Sequence, residues 1–162
     1  MKVVQPSGPQ MSPPHVLHPG DVACGVRGER FETLLGSCVA VILTDPRRTV
    51  GAMCHIVHAA GAPAGRPGDT RHADVALAEM QRRLFAHGMR LELCEAYVFG
   101  GGNMFPGVYP QQPVGERNVH HVLDVLASEG VRVLRHDVGG TAYRRLRWTV
   151  GPDAPEITAV PV

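Results

Sequence analysis

Residues 33–58, TLLGSCVAVILTDPRRTVGAMCHIVH, decide how this chain is read. Two apolar runs, Val39–Leu43 and Val50–Val57, flank Asp45-Pro46-Arg47-Arg48. Short apolar runs bounded by turn residues are the pattern of paired strands. With Pro46 and Arg47 as the central turn residues, Asp45 faces Arg48 and, further along the ladder, Cys38 faces His55. Directly opposed residues of an antiparallel pair have Cβ atoms about 5 Å apart. A thiol with an imidazole in reach is the arrangement of a cysteine nucleophile and its base. Proline at the first turn position suits type I and II turns, whereas tight hairpins favour the primed types. A one-residue slip would send the two side chains to opposite faces. Both parities of Val39–Leu43 are apolar, which predicts a strand covered on both faces and hence a layered domain.

Composition narrows the class. The 162 residues fit one domain with a sizeable core. Aromatic residues are only 5% of the chain, so Val, Leu and Ala must fill most of that core. A formal net charge of +1 points to neither nucleic acid nor an anionic membrane. No apolar run approaches the length of a transmembrane helix. The first twenty residues have no apolar h-region, so a secretory signal is not expected. Their Pro, Gly, Ser and Gln content predicts a loose tail over residues 1–18, ahead of a single domain over 19–162. Cys24, Cys38, Cys54 and Cys94 are expected to be reduced, as in a cytoplasmic protein.

From Val22 onward the chain alternates between period-2 and period-3.6 segments. Val22–Val26 reads as a short strand and the residues around Phe31 as a turn, before the hairpin. Ala59–Asp69 (AAGAPAGRPGD) reads as an exposed loop. Asp69 or Thr70 is the expected cap of a helix whose Ala73, Leu77, Met80 and Leu84 form one apolar stripe, stopped by His87-Gly88. Glu95–Phe99 is a buried strand candidate. A second helix is expected from about Glu116 to Glu129, with Val119, Val122, Leu123 and Leu126 inward. Val131–Val138, Arg145–Val150 and Ile157–Val160 read as closing strands. The class is mixed α/β.

Several residues invite chemistry. Gly36-Ser37 before Cys38 leave backbone amides near the sulfur, the material of an oxyanion hole. His55 is the candidate base, with a core histidine as the alternative. Thr33 can orient His55 through its hydroxyl, or be an ordinary strand residue. An apolar strand face around both groups predicts a thiolate–imidazolium pair of Cys38 and His55. His55 and His58 beside Cys54 raise a metal reading, but strand geometry puts positions 55 and 58 on opposite faces and no second ligand cluster follows. Gly100-Gly101-Gly102-Asn103 lacks the third glycine of a dinucleotide loop and reads better as a strand-ending turn. Asn118 and Gly139-Gly140 fit either a site or turns. Cys24, Cys54 and Cys94 sit in apolar settings and read as inert core.

These pieces occur together in a known order: TLLGSCVAV, a histidine seventeen positions after the cysteine, ADVALAEM, YVFGGGNMF, VGERNV and HDVGG. In that order they resemble the chemoreceptor glutamine deamidase family CheD over about Val22 to Val160. The resemblance implies a cytoplasmic enzyme of bacterial chemotaxis, a protein-glutamine glutaminase that converts receptor glutamines to glutamates. The family's catalytic cysteine, histidine and threonine match Cys38, His55 and Thr33. The resemblance also implies a single α/β domain of mixed β-sheets flanked by helices, similar to toxin-type glutamine deamidases. No metal or organic cofactor is implied. The implied partners are the cytoplasmic helices of methyl-accepting chemotaxis receptors and, in some organisms, a CheC-type phosphatase. Two alternatives stay open: a docking module for a chemotaxis phosphatase or response regulator, and another thiol hydrolase such as a receptor methylesterase.

Overall fold

Among residues 12–59, 68–108 and 113–161, which the computed structural model describes, strands and helices alternate as the periodicity requires. The strands are β1 (His15–Leu17), β2 (Val22–Val26), β3 (Arg30–Leu35), β4 (Val39–Thr44), β5 (Val50–Ile56), β6 (Glu95–Gly100), β7 (Arg132–Val138), β8 (Tyr143–Thr149) and β9 (Glu156–Val160). Helix α1 (Ala73–Ala86) lies between β5 and β6, and α2 (Pro113–Ser128) between β6 and β7. The strands make two sheets, ordered β1-β3-β8-β9 and β2-β5-β4-β6-β7.

The doubly apolar β4 explains the layering. Every one of its residues is buried. Val39, Val41 and Leu43 pack under α1 and α2, against Leu77, Met80, Leu84, Val122 and Leu126. Ala40 and Ile42 face the other way, onto Phe31, Leu146 and Trp148 of the four-stranded sheet. The domain is therefore helices, sheet and sheet, in three layers. Each fully buried Leu, Ile or Phe contributes about 1.5–3 kcal/mol of transfer free energy. The predicted stripe of α1 holds, since Ala73, Leu77, Met80 and Leu84 are all buried.

Three boundaries differ from expectation. The residues around Phe31 are strand β3, not a turn, because Phe31 is needed inside, stacked on Trp148 with centroids 5.8 Å apart. The tail does not extend to His18: His15–Leu17 pair in parallel with Phe31–Thr33, and Leu17 is buried. Helix α1 starts at Ala73 with His72 as N-cap, rather than at Asp69 or Thr70. Asp69 instead receives the Arg71 backbone N–H at 3.1 Å and the Arg71 guanidinium. Most of the predicted loop Ala59–Asp69 lies outside the described residues.

The hairpin register also differs. Ala40, not Cys38, faces His55, and the last rung is Val39 with Ile56. The physical reason is Asp45. Its carboxylate accepts the Thr49 N–H at 2.7 Å, the Thr49 hydroxyl at 2.6 Å and the Val50 N–H at 3.0 Å. That grip needs a wider loop than Pro46-Arg47 alone, closed by Arg48 at φ 57°. The shift is an even one, so position 38 keeps the parity of His55; Cys38 itself lies in the bend just before β4, packed against the inter-sheet cluster.

The inter-sheet seam is tightest at Gly51, where a Cβ would overlap the Trp148 ring. Gly51→Ala is expected to destabilise the domain by about 2 kcal/mol. Urea unfolding followed through the fluorescence of Trp148, the sole tryptophan, measures this.

Candidate active site

Thr33 on β3 and His55 on β5 both point between the sheets and are 3% exposed. Thr33 Oγ1 lies 2.8 Å from the Leu17 carbonyl oxygen and 2.8 Å from His55 Nδ1. A hydroxyl carries one proton, and a carbonyl can only accept. The proton therefore goes to Leu17. His55 Nδ1 must then be the donor to Oγ1, which leaves the Nε2 lone pair free to act as a base. Thr33 is also a regular residue of β3, so the strand role and the hydrogen bond to His55 coexist.

Cys38 lies in the bend between β3 and β4, half-buried against the inter-sheet cluster that includes Ala40 and Phe99. The three carbonyls of this bend are all held. Gly102 N–H donates to Gly36 O at 2.9 Å and Gly101 N–H to Cys38 O at 2.9 Å. Asn118 Nδ2, from α2, donates to Ser37 O at 3.4 Å and to Val57 O at 3.1 Å. The N–H groups of Ser37 and Cys38 donate to no group among the described residues. Free amides beside a thiol are what an oxyanion hole requires.

The triple glycine is thus a buttress rather than a phosphate loop. At Gly100, φ is 111° and a Cβ would land on the Cys38 carbonyl oxygen. Arg144 secures the neighbouring turn, with Nη2 donating to Gly139 O at 2.8 Å and Nε to Asp137 Oδ1 at 3.1 Å. Gly139-Gly140 accordingly make turn contacts, with Asn103 N–H on Gly140 O at 2.8 Å. A cavity of about 700 Å³ borders Gly101, Asn103 and Gly139–Thr141, and neither Cys38 nor His55 lines it. His58 has a different environment from His55: its ring lies tilted against that of His72, with centroids 5.1 Å apart.

Burial dominates the titration of the pair. It pushes the His55 imidazole down to about 4, only partly opposed by the Asp21 carboxylate. It pushes the Cys38 thiol up. Both shifts favour the uncharged thiol and imidazole over the thiolate–imidazolium pair expected from the sequence. All four cysteines are free thiols. Burial raises Cys54 and Cys94 to about 12, which keeps them inert, while half-buried Cys24 is raised less far.

Three contributors left little mark in the sequence. The Leu17 carbonyl lies in what reads as tail. The Gly101 and Gly102 amides act through backbone. Asn118 reaches two carbonyls far from it along the chain. Only the unbroken Gly100–Gly102 run after a buried strand signals that another backbone comes close.

A family model described as "CheD chemotactic sensory transduction" matches residues 59–152. A Pseudomonas savastanoi pv. phaseolicola protein called "Probable chemoreceptor glutamine deamidase CheD" is 36% identical, over 81% of this chain and 76% of its own length. A Methanococcus vannielii protein of the same name is 36% identical, over 77% of this chain and 81% of its own. Among solved structures, the Bacillus licheniformis hypothetical protein YfiH aligns with TM-score 0.47 and 12% identity, over 77% of this chain and 59% of that one.

Two predictions follow from the geometry. The unfolded imidazole takes up its proton near 6.5 and the folded His55 only near 4. Between those values the unfolded chain binds more protons, so His55 removes stability as pH falls from about 6.5 to about 4. Urea unfolding at pH 7 and pH 4.5 should show the wild type losing on the order of 2 kcal/mol more than His55→Gln. Separately, deleting residues 1–17 removes β1 and the Leu17 carbonyl, whereas deleting 1–11 keeps both. Turnover by the two truncations is expected to differ by at least tenfold, since the hydroxyl proton that fixes the His55 tautomer loses its acceptor.

Proposed function

The chain belongs to the CheD family, and from that premise we propose that it is a cytoplasmic protein-glutamine deamidase acting on methyl-accepting chemotaxis receptors through Cys38, His55 and Thr33. The observation that carries this reading is the Leu17–Thr33–His55 relay beside the bend that bears Cys38. A buried imidazole held in one tautomer, with its other nitrogen unprotonated, is equipped to take up and hand on a proton.

The steps balance without a metal or organic cofactor. Nε2 of His55 takes the Cys38 thiol proton as Sγ attacks the carboxamide carbon of a receptor glutamine. The carbonyl oxygen becomes an oxyanion facing the Ser37 and Cys38 N–H groups. The Nε2 proton passes to the departing nitrogen, which leaves as ammonia, and a thioester remains. Water, deprotonated by Nε2, then attacks the thioester and releases glutamate and the thiol. Thr33 holds the ring throughout and carries no charge. It therefore stabilises the imidazolium less than a carboxylate would, which suits a proton that must be handed on quickly. No helix among the described residues is long and apolar enough to cross a membrane. In this reading the substrate is a cytoplasmic helix of the receptor. A CheC-type phosphatase is the second partner in this reading.

The test is intact-mass analysis of a receptor cytoplasmic fragment after incubation, with ammonia assayed in parallel. The wild type is expected to add about one mass unit per glutamine converted, as NH₂ is replaced by OH. Cys38→Ala should lower the rate by at least about 1,000-fold. Thr33→Val keeps the β-branched shape but strands Nδ1 and frees the tautomer, and should cost about 100-fold. Peptide cleavage or methanol release in place of ammonia would overturn the assignment, as would half the wild-type rate in Cys38→Ala.

A further inference from the structure

We propose that Asn118 is a positioning residue for the oxyanion donor, acting through the peptide that joins Ser37 to Cys38; this rests on the deamidase reading above. Asn118 is 2% exposed on α2, the only element between β6 and β7. The β4–β5 ladder ends at Val39 with Ile56. Beyond it the two strands separate: the Val57 N–H turns to Arg71 O at 2.8 Å, and residues 36–38 bend away. In the register of the ladder, positions 38 and 57 would have formed the next rung. Asn118 spans that gap. Its one amide nitrogen donates to Val57 O on the base's strand and to Ser37 O on the nucleophile's side.

The rigid peptide plane turns this tie into chemistry. In a trans peptide, C=O of one residue and N–H of the next point in opposite directions. Drawing Ser37 O toward α2 therefore aims the Cys38 N–H away from α2. By the same geometry, Gly102 N–H on Gly36 O aims the Ser37 N–H. Both oxyanion donors owe their direction to a partner on the carbonyl behind them. The Gly102 contact is backbone and cannot be removed by substitution. The Asn118 contact is a side chain and can.

An oxyanion exists only in the transition state and the intermediate, so misaiming a donor lowers kcat and leaves KM nearly unchanged. Alkylation of the thiol by iodoacetamide displaces iodide and develops no oxyanion. It reports on Cys38 and His55 but not on the aim of the amides. Asn118→Ala removes the donors. Asn118→Asp keeps the size and sets an acceptor against two carbonyls. Ammonia release from a receptor fragment and the rate of Cys38 alkylation are measured for wild type and both variants, with circular dichroism to verify folding. We expect kcat to fall about 30-fold or more, KM to change less than threefold, and alkylation to change less than threefold. Loss of alkylation in parallel with kcat would overturn the proposal in favour of a loosened loop. So would a kcat within threefold of wild type, or unfolding of both variants, which would make Asn118 a residue of the domain rather than of the site. A wild type that releases no ammonia at all would instead overturn the deamidase reading, so the two failures are distinguishable.

Discussion

Thr33 Oγ1 stands between a carbonyl that can only accept and an imidazole nitrogen that can do either, and this single hydroxyl proton settles what His55 can be. The relay is possible only because two sheets pack face to face. Thr33 comes from one, His55 from the other, and Leu17 from the edge strand that pairs with β3. Neither sheet alone could assemble it. The inter-sheet core of Phe31, Ile42, Phe99, Leu146 and Trp148 is thus also the clamp that holds base and orienting hydroxyl at hydrogen-bond distance. A void in that core would be felt in the relay, because close-packed interiors transmit strain.

A second constraint lies on the other side of Cys38. The bend at residues 36–38 has its carbonyls held by Gly101, Gly102 and Asn118. Holding all three from behind leaves the amides of Ser37 and Cys38 pointing forward. The glycines are needed because β6 passes flush against the bend, and Gly100 adopts a conformation that side chains rarely take. Glycine loses more backbone entropy on folding than other residues, so three in a row cost stability. That cost is tolerable beside β4 and β6, whose buried residues anchor both ends of the turn.

Much of the fold was legible because it rests on periodicity. The doubly apolar β4 announced a layered domain, and the Ala73–Leu84 stripe announced α1. What failed was set by side-chain to backbone contacts, which leave no repeating pattern. The Cys38–His55 register missed because the Asp45 carboxylate, gripping Thr49 and Val50, widens the turn. The parity of position 38 was kept because the resulting shift is even. The segment from His15 to Leu17 looked like tail because a three-residue strand between prolines and glycine carries too few residues to show alternation. At the site, Cys38 and His55 could be read from their shared hairpin, whereas Thr33 stood out mainly through the family resemblance. The resting charge state was misjudged: an apolar face was taken to favour an ion pair, but burial penalises each charge before it strengthens their attraction.

That last point bears on how the site works. A neutral thiol and a neutral imidazole are poor partners until a carboxamide is in place. Proton transfer within the empty site would create two charges in a poorly solvated seam, where the Asp21 carboxylate only partly steadies the imidazolium. In the proposed mechanism, once the substrate carbonyl is seated, the negative charge need not stay on sulfur. It moves on to an oxygen that meets two aimed amides, where charge-assisted hydrogen bonds are stronger than neutral ones. The free energy that drives deprotonation is therefore supplied at the oxyanion and not at the thiol. In such a site the accuracy with which Ser37 and Cys38 present their N–H groups limits the chemistry as much as the base does. On the proposed mechanism, burial has a second consequence: a thiol that ionises only in company of substrate would resist adventitious alkylation and oxidation, since both require the thiolate.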